Sequence, residues 1–440
     1  MKRYLFCAGV VALGILFFGS GSARGETLQD AIKYMLQTSP EIKGAAYNRL
    51  ARDQEVIQAK GGYYPSLDAY QSLGADYRVH TYEKTEITRP KETVFSLRQN
   101  VFQFGATSSE VGRQEARVRS QAYLLQGTSE NLALRGTKVY LNVLRDLELY
   151  ELAKENLTNH ERIHDQMKLR GAAGVDRKAD LDQVLGRMAL AQSNLVVTRT
   201  NIADARTGYL AVIGRLPEDL TVPKAEGEIP VSMDEAEKLA LQDYPIVKSA
   251  RADLEAREAQ HEVAKRIMYP KLDVALDYKW QSDVQLPRRT EDIVGTAVLS
   301  MNLFNGFRNK ARMEETLQLI SEAREILNNT QRETLQAVRL SWEAYKTAQE
   351  RVVYLEEYVK AAGLTAEAFD KQWTIGRRTM FDVLDTQAEY INAKSDLAKA
   401  KYEKLYSEFR VLSGIGKLVK SLGLQWPDES RLDFVRKDVP

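Results

Sequence analysis

The chain is almost without cysteine. Cys7 is the only one in 440 residues, and it lies inside an N-terminal apolar run from Tyr4 to Phe18. That run follows Lys2 and Arg3 and leads to Ala23-Arg24-Gly25, the positive start, apolar middle and small-residue cut of an export signal. The run is too short for a comfortable spanning helix. Cleavage is expected ahead of Glu26, so residues 1–25 leave and take Cys7 with them. The mature chain then has no thiol, no disulfide and no cysteine metal site, which suits an oxidising compartment. Net charge is also scarce. It is +1 for the whole chain and −2 once Lys2, Arg3 and Arg24 are gone, so no nucleic-acid partner and no anionic surface is implied. Long apolar runs are missing as well: beyond the signal no segment has 18 consecutive apolar residues. If the mature chain enters a membrane, it must do so as strands of a closed barrel.

What is present is a chain written twice. Thr27-Leu28-Gln29-Asp30-Ala31 resembles Ser232-Met233-Asp234-Glu235-Ala236, Pro40 matches Pro245, and Tyr64-Pro65-Ser66-Leu67-Asp68 matches Tyr269-Pro270-Lys271-Leu272-Asp273, all at an offset of 205. Further on the offset is 202: Asn100-Val101-Phe102 aligns with Asn302-Leu303-Phe304, Gly174 with Gly376, Asp180 with Asp382, and Gly214-Arg215-Leu216 with Gly416-Lys417-Leu418. A first repeat is expected over 26–216 and a second over 232–416. The proline-bearing linker 217–231 joins them and a polar tail, 417–440, follows. Within each repeat the same order is expected. An amphipathic helix of about 30 residues ends at the Tyr-Pro step, where proline disfavours helix. Two strands and two long helices follow.

The strands are expected at 66–75 and 93–102, then at 271–280 and 294–304. Leu272, Val274, Leu276, Tyr278 and Trp280 alternate with Lys271, Asp273, Ala275, Asp277 and Lys279, and Phe95, Leu97 and Val101 alternate with Ser96, Arg98 and Asn100. One such strand alone reads as an ordinary half-buried strand. Four of them, each about ten residues and joined to an export signal and very long helices, read as tilted membrane strands. The helices are expected at 106–170, 177–215, 307–371 and 378–415. Their apolar positions step by four and three, as in Leu384, Ala388, Ile391, Ser395, Ala398, Tyr402, Leu405, Phe409 and Leu412, the spacing of side-by-side coiled coils. Four strands cannot close a barrel, and open edges are not tolerated in lipid. The chain must therefore pair with copies of itself, and geometry alone permits two copies or three.

Trp373-Thr374-Ile375-Gly376-Arg377-Arg378-Thr379-Met380-Phe381-Asp382-Val383-Leu384-Asp385 resembles the signature of TolC-family outer-membrane efflux proteins. Ala393-Lys394 through Tyr402 and the closing Leu412-Ser413-Gly414-Ile415-Gly416 are similar to that family too, and the likeness covers nearly the whole mature chain. The resemblance implies an α+β membrane protein: a homotrimer whose twelve strands form one β-barrel, four from each internally duplicated chain, continued by a long α-helical coiled-coil barrel. It implies a non-catalytic exit duct in the outer membrane, bathed in outer-membrane lipid and extending into the periplasm, with no cofactor. Its partners would be a periplasmic adaptor (membrane fusion) protein and an inner-membrane ABC transporter or other pump. Gly-Arg-Arg-Thr and Asp-Val-Leu-Asp look closest to channels of type I secretion, with an exported protein as cargo; drug or metal efflux is the alternative within the family.

The residues expected to work lie at the periplasmic tip. Its turns are read as Gly171-Ala172-Ala173-Gly174 and Thr374-Ile375-Gly376, where glycine permits tight or left-handed backbone. Asp382 and Asp385, three apart, share a helix face and in a trimer could ring an aperture with six carboxylates that favour cations. By resemblance, Arg378 is the gate arginine and Asp180 its carboxylate partner on the neighbouring coil. Trp373 stands where tyrosine is common, and its indole N–H can donate but not accept. His160-Glu161-Arg162-Ile163-His164 spells a zinc-protease motif, with both histidines on one helix face and Glu161 as a possible base. The second repeat has Ala362-Gly363-Leu364-Thr365-Ala366 at that place, so the motif is read as a decoy on a long coil, without metal. His80 and His261 are expected to be isolated and solvent-facing. A periplasmic coiled-coil spacer or adaptor is the remaining alternative, and it would stay soluble without detergent.

Overall fold

The structure, a computed structural model, describes residues 25–79, 86–172, 178–225, 229–284 and 288–434. The expected signal, apart from Gly25, lies outside the described residues, as do His80 and Gly174. The first half runs α1 (Leu28–Thr38), α2 (Pro40–Lys60), β1 (Ser66–Leu73), β2 (Asp76–Arg78), β3 (Glu86–Thr88), β4 (Lys91–Phe102), α3 (Ala106–Ala172) and α4 (Lys178–Ile213). The second runs α5 (Met233–Asp243), α6 (Pro245–Arg266), β5 (Lys271–Ser282), β6 (Arg289–Ser300), α7 (Arg308–Thr374) and α8 (Met380–Gly414), and the short α9 (Leu418–Ser421) opens the tail.

The single opening helix expected in each repeat is in fact two. Thr27 caps α1 through a reciprocal bond with Asp30, and Ser232 caps α5. Each helix then stops one residue before a proline: Ser39 and Tyr244 hold extended ψ values of 128° and 122°, and Pro40 and Pro245 restart the chain as first helical residues. The long helices α3 and α7 have 67 residues each, about 100 Å at 1.5 Å per residue.

The four main strands form one antiparallel sheet in the order β1-β4-β5-β6, so the two halves of the chain meet at the β4–β5 seam. By register, Leu67, Phe95, Leu97, Val274, Leu276, Tyr278, Ile293 and Leu299 share one face, while Asp68, Ser96, Arg98, Asn100, Asp273 and Asp277 share the other. The strand expected at 294–304 sits at Arg289–Ser300 instead. Its partner β5 begins at Lys271, opposite Ser300, so residues 301–304 have no ladder partner among the described residues. The strand expected to reach residue 75 ends at Leu73, and the hairpin continues as a narrow β2–β3 ribbon that the sequence reading missed.

The helices pack in two tiers. Nearer the sheet, neighbours run α2, α3, α6, α7; farther from it, they run α4, α3, α8, α7. Between the tiers lies the main core, with Ile32, Met35, Leu125, Leu132, Tyr140, Ile213, Phe409 and Leu412 buried. His261, expected in solvent, is buried between α6 and α7, where its Nδ1 lies 2.8 Å from the Thr316 hydroxyl.

The tail, given no role from sequence, joins that core as far as Trp426. Leu418, Val419 and Leu422 are buried. The carboxylate of Glu130, itself buried on α3, accepts the backbone N–H groups of Leu418 and Val419 (3.0 and 3.3 Å) and the indole N–H of Trp426 (2.9 Å). Arg49 donates to the carbonyl of Phe434 at 3.2 Å. Burial pushes the Glu130 carboxyl up to about 7, against the opposing pull of its donors and Lys420. The folded chain thus holds a proton that the unfolded chain releases above its ordinary value of 4.5. The contribution to stability is full below that value and is lost as pH rises through about 7. Glu130→Gln is expected to remove up to about 3 kcal/mol of this pH dependence. Thermal unfolding of the detergent-solubilised protein should then change less between mildly acidic and mildly basic buffer than in the unaltered chain. Equal slopes would assign the titration to another group.

Candidate functional site

At the end of the column farthest from the sheet, α3 hands over to α4 and α7 to α8. Ile163, Met167, Val184, Trp373, Met380, Val383 and Leu384 form a small buried cluster there, with Leu181 and Phe369 against it. It is separate from the main core, so the tip has packing of its own. The α7–α8 turn is set by local chemistry. Gly376 has φ +74°, its N–H bonds the Trp373 carbonyl (2.9 Å), and the Arg377 N–H bonds the Gln372 carbonyl (2.8 Å). This is the left-handed glycine stop of a helix, a conformation in which a Cβ would be strained. Thr379 then caps α8: its hydroxyl accepts from the Asp382 N–H (3.3 Å), and Asp382 Oδ2 accepts from the Thr379 N–H (3.1 Å).

Around this cluster the charged residues tie coils together. Arg187 on α4 reaches Asp385 on α8 at 3.1 Å, and Arg162 on α3 lies 3.6 Å from Asp370 on α7. The Arg170 guanidinium sits over the Trp373 ring at 5.2 Å, and Arg378 over the Phe369 ring at 4.1 Å. Asp382 is held below the ordinary carboxylate range by the Thr379 hydroxyl and N–H, with help from Arg378.

The residues read from sequence are distributed unevenly. Asp382, Asp385, Arg378, Trp373 and Gly376 do gather at this tip. Asp382 is also a capping residue, and Asp385, still 68% exposed, is the partner of Arg187. Arg378 is not paired with Asp180 among the described residues; its Nε donates to Gln372 at 3.2 Å and its face covers Phe369, both on its own coil. Gly171 is not in a turn, because α3 continues to Ala172. Trp373 is a buried residue of the tip cluster. His160 is buried, and burial with Arg187 nearby holds its imidazole below the usual histidine range, while Glu161 is exposed and His164 lies 3.3 Å from Asp165. Among the described residues, no three His, Cys, Asp or Glu side chains gather as a metal site. Arg162, Arg170, Arg187 and Phe369 were missed. The partners of Arg162, Arg170 and Arg187 are on other coils, and the sequence holds no signal for the register between coils.

An apolar-faced sheet too narrow to close, prolonged by a helical column with its own tip, defines a channel subunit rather than an enzyme. The family model for the outer membrane efflux protein matches residues 31–215 and 237–417, one match to each repeat, and the chain belongs to that family. It is 21% identical to the outer membrane efflux protein BepC of Brucella suis, over 95% of this chain and 92% of that one. It is 22% identical to TolC of Escherichia coli over 93% and 86%, and 22% identical to the proteases secretion protein PrtF of Dickeya chrysanthemi over 89% and 88%. The fold matches that of the Campylobacter jejuni CmeC outer membrane channel with a TM-score of 0.78, at 14% identity over 98% of both chains. The chain is thus a TolC-family efflux channel of the outer membrane, spanning into the periplasm and doing no bond chemistry.

Trp373→Ala should empty the centre of the tip cluster, at a cost of about 3–5 kcal/mol. Hydrogen exchange should accelerate in residues 160–172 and 369–385 and stay unchanged in the sheet. A uniform change along the chain would show that the tip has no independent packing.

Proposed function

We propose that three copies close into a ring, giving a twelve-stranded barrel above a helical tunnel that is shut at its tip until adaptor and pump dock. One observation carries this reading. The sheet and both helical tiers all end on the same two sides: β1, α2 and α4 from the first half, β6 and α7 from the second. Such edges are complementary by the duplication itself, since each outer edge repeats an element that already has a partner inside the chain. A head-to-tail contact of this kind closes into a ring. Three copies supply twelve strands; two would supply eight, the smallest closed membrane barrel. The mass of the detergent-solubilised particle discriminates them, and a stable monomer in plain buffer would favour the spacer reading.

In such a ring the α4 edge of one copy faces the α7 edge of the next. Arg378 can then meet Asp180 of the neighbouring copy, and Asp382 and Asp385 can ring the aperture. The cross-coil pair Arg187–Asp385 acts within each chain. Asp180→Ala combined with Arg378→Ser is expected to raise resting conductance in planar bilayers, as is Arg187→Ala. Unaltered conductance in both would take these residues out of the gate.

Type I protein secretion is the preferred service, supported by Gly376-Arg377-Arg378-Thr379, by Asp382-Val383-Leu384-Asp385 and by the similarity to a proteases secretion protein. The similarity to an efflux protein keeps drug or metal export as the second reading. Cells lacking the chain should lose a large protein from the medium; a gain in drug or metal sensitivity without that loss favours the second.

A further inference from the structure

The seam where the two halves of the sheet meet carries a side-chain pair at its foot. Asn100 on β4 donates to Asp273 on β5 at 2.8 Å, and the two are opposite one another in the ladder. One step on, Val101 is left out of the register and Phe102 falls opposite Leu272, a bulge that ends the seam.

Each member of this set has a counterpart. Asn302-Leu303-Phe304 repeats Asn100-Val101-Phe102, and Leu67-Asp68 repeats Leu272-Asp273. The counterparts stand on the two open edges of the sheet, Asp68 on β1 and Asn302 just past the end of β6, and both are exposed. Around them Leu67, Leu303 and Phe304 are 71%, 87% and 71% exposed. Residues 301–304 are the very segment that has no ladder among the described residues, although its counterpart on β4 is a strand to Phe102.

We infer that Asn302 of one copy donates to Asp68 of the next, with Leu303 as the bulge and Phe304 opposite Leu67. This rests on the ring of copies proposed above and adds the register by which it closes. The pair extends β6 by four residues to 304 and gives the seam between copies the geometry of the seam within them. Because strand faces alternate, a slip of one residue would turn Asn302 toward the apolar face.

The mature chain offers a clean test, since its sole cysteine is in the expected signal. In a Cys7→Ser background, Asn302→Cys is combined with Asp68→Cys, or with Ser66→Cys or Tyr70→Cys as controls displaced along β1. Opposed residues of antiparallel strands are about 4.5–5.5 Å apart at Cα, within disulfide reach, while diagonal neighbours are about 7–8 Å apart. Outer membranes are oxidised and run on denaturing gels. The expected result is a covalent trimer several-fold more abundant for the 302/68 pair than for either control, reversed by reductant. Stronger linkage of a displaced pair, or none in particles of trimeric mass, would overturn the register and leave the ring standing. Absence of both linkage and trimeric mass would overturn the ring and the register together.

Discussion

The constraint on which this molecule turns is the fate of two strand edges. The outer edges of β1 and β6 present backbone N–H and C=O groups without a ladder partner among the described residues, and in hydrocarbon each such group costs several kcal/mol. No side chain can offset a whole row of them. Closure is therefore a condition for being in the membrane at all, and the shape of the remainder follows from it. Four strands at about 4.8 Å spacing and about 40° tilt take up roughly 25 Å of arc, whereas four helices side by side take up about 40 Å. The difference has to be absorbed where strand turns into helix. Both junctions there hold two consecutive left-handed residues, one glycine and one phenylalanine: Phe104-Gly105 with φ 46° and 76°, Gly306-Phe307 with φ 66° and 63°. A bulky residue in that region is strained, and the same strain at both junctions matches the same mismatch at both.

The polar interior serves a different end. Tall coiled coils have no natural stop along their length, so the main core needs fixed points. Glu26 supplies one: its carboxylate accepts from the Tyr209 hydroxyl (2.8 Å) and Arg215 (2.6 Å), and its carbonyl from the Thr221 N–H (3.1 Å), which ties the start of α1 to the end of α4 and to the linker. Glu130 supplies the other by holding the tail. A buried carboxylate is expensive unless its oxygens are filled, and here the filling groups come from segments that would otherwise have no reason to lie where they do.

Much of this was legible. The apolar–polar alternation of Leu272 to Lys279 located β5, and Pro40 and Pro245 were visible as a matched pair, though they divide one expected helix into two. Four alternating segments, too few to close a barrel, led to the expectation of self-assembly before any family was considered. What was not legible has one physical cause: contacts between coils depend on their relative height and rotation, which heptad spacing leaves open. Hence Arg187, which crosses between coils to Asp385, went unnoticed; Arg378, paired with Asp180 by resemblance, covers Phe369 within the chain. The tail was misread for a related reason. Leu418, Val419, Leu422 and Trp426 follow no long period, and their partner Glu130 is almost three hundred positions away.

The duplication places different demands on the sheet seam and on the tip. At the sheet, Asn100 and Asp273 are matched by Asn302 and Asp68. A barrel closes only if every seam carries compatible register, so a change at one seam must be compatible with the shear of all the others. At the tip no such equality is required. Asp382 keeps its counterpart Asp180, but Trp373, Arg378 and Asp385 align with Gly171, Asp176 and Gln183. In the gate proposed above, an aperture narrowed by one pair of coils and braced by the other needs them to be unlike. In the ring of three proposed above, seams of one register at the sheet and unlike coils at the tip would give a wall that is nearly sixfold at one end and threefold at the other.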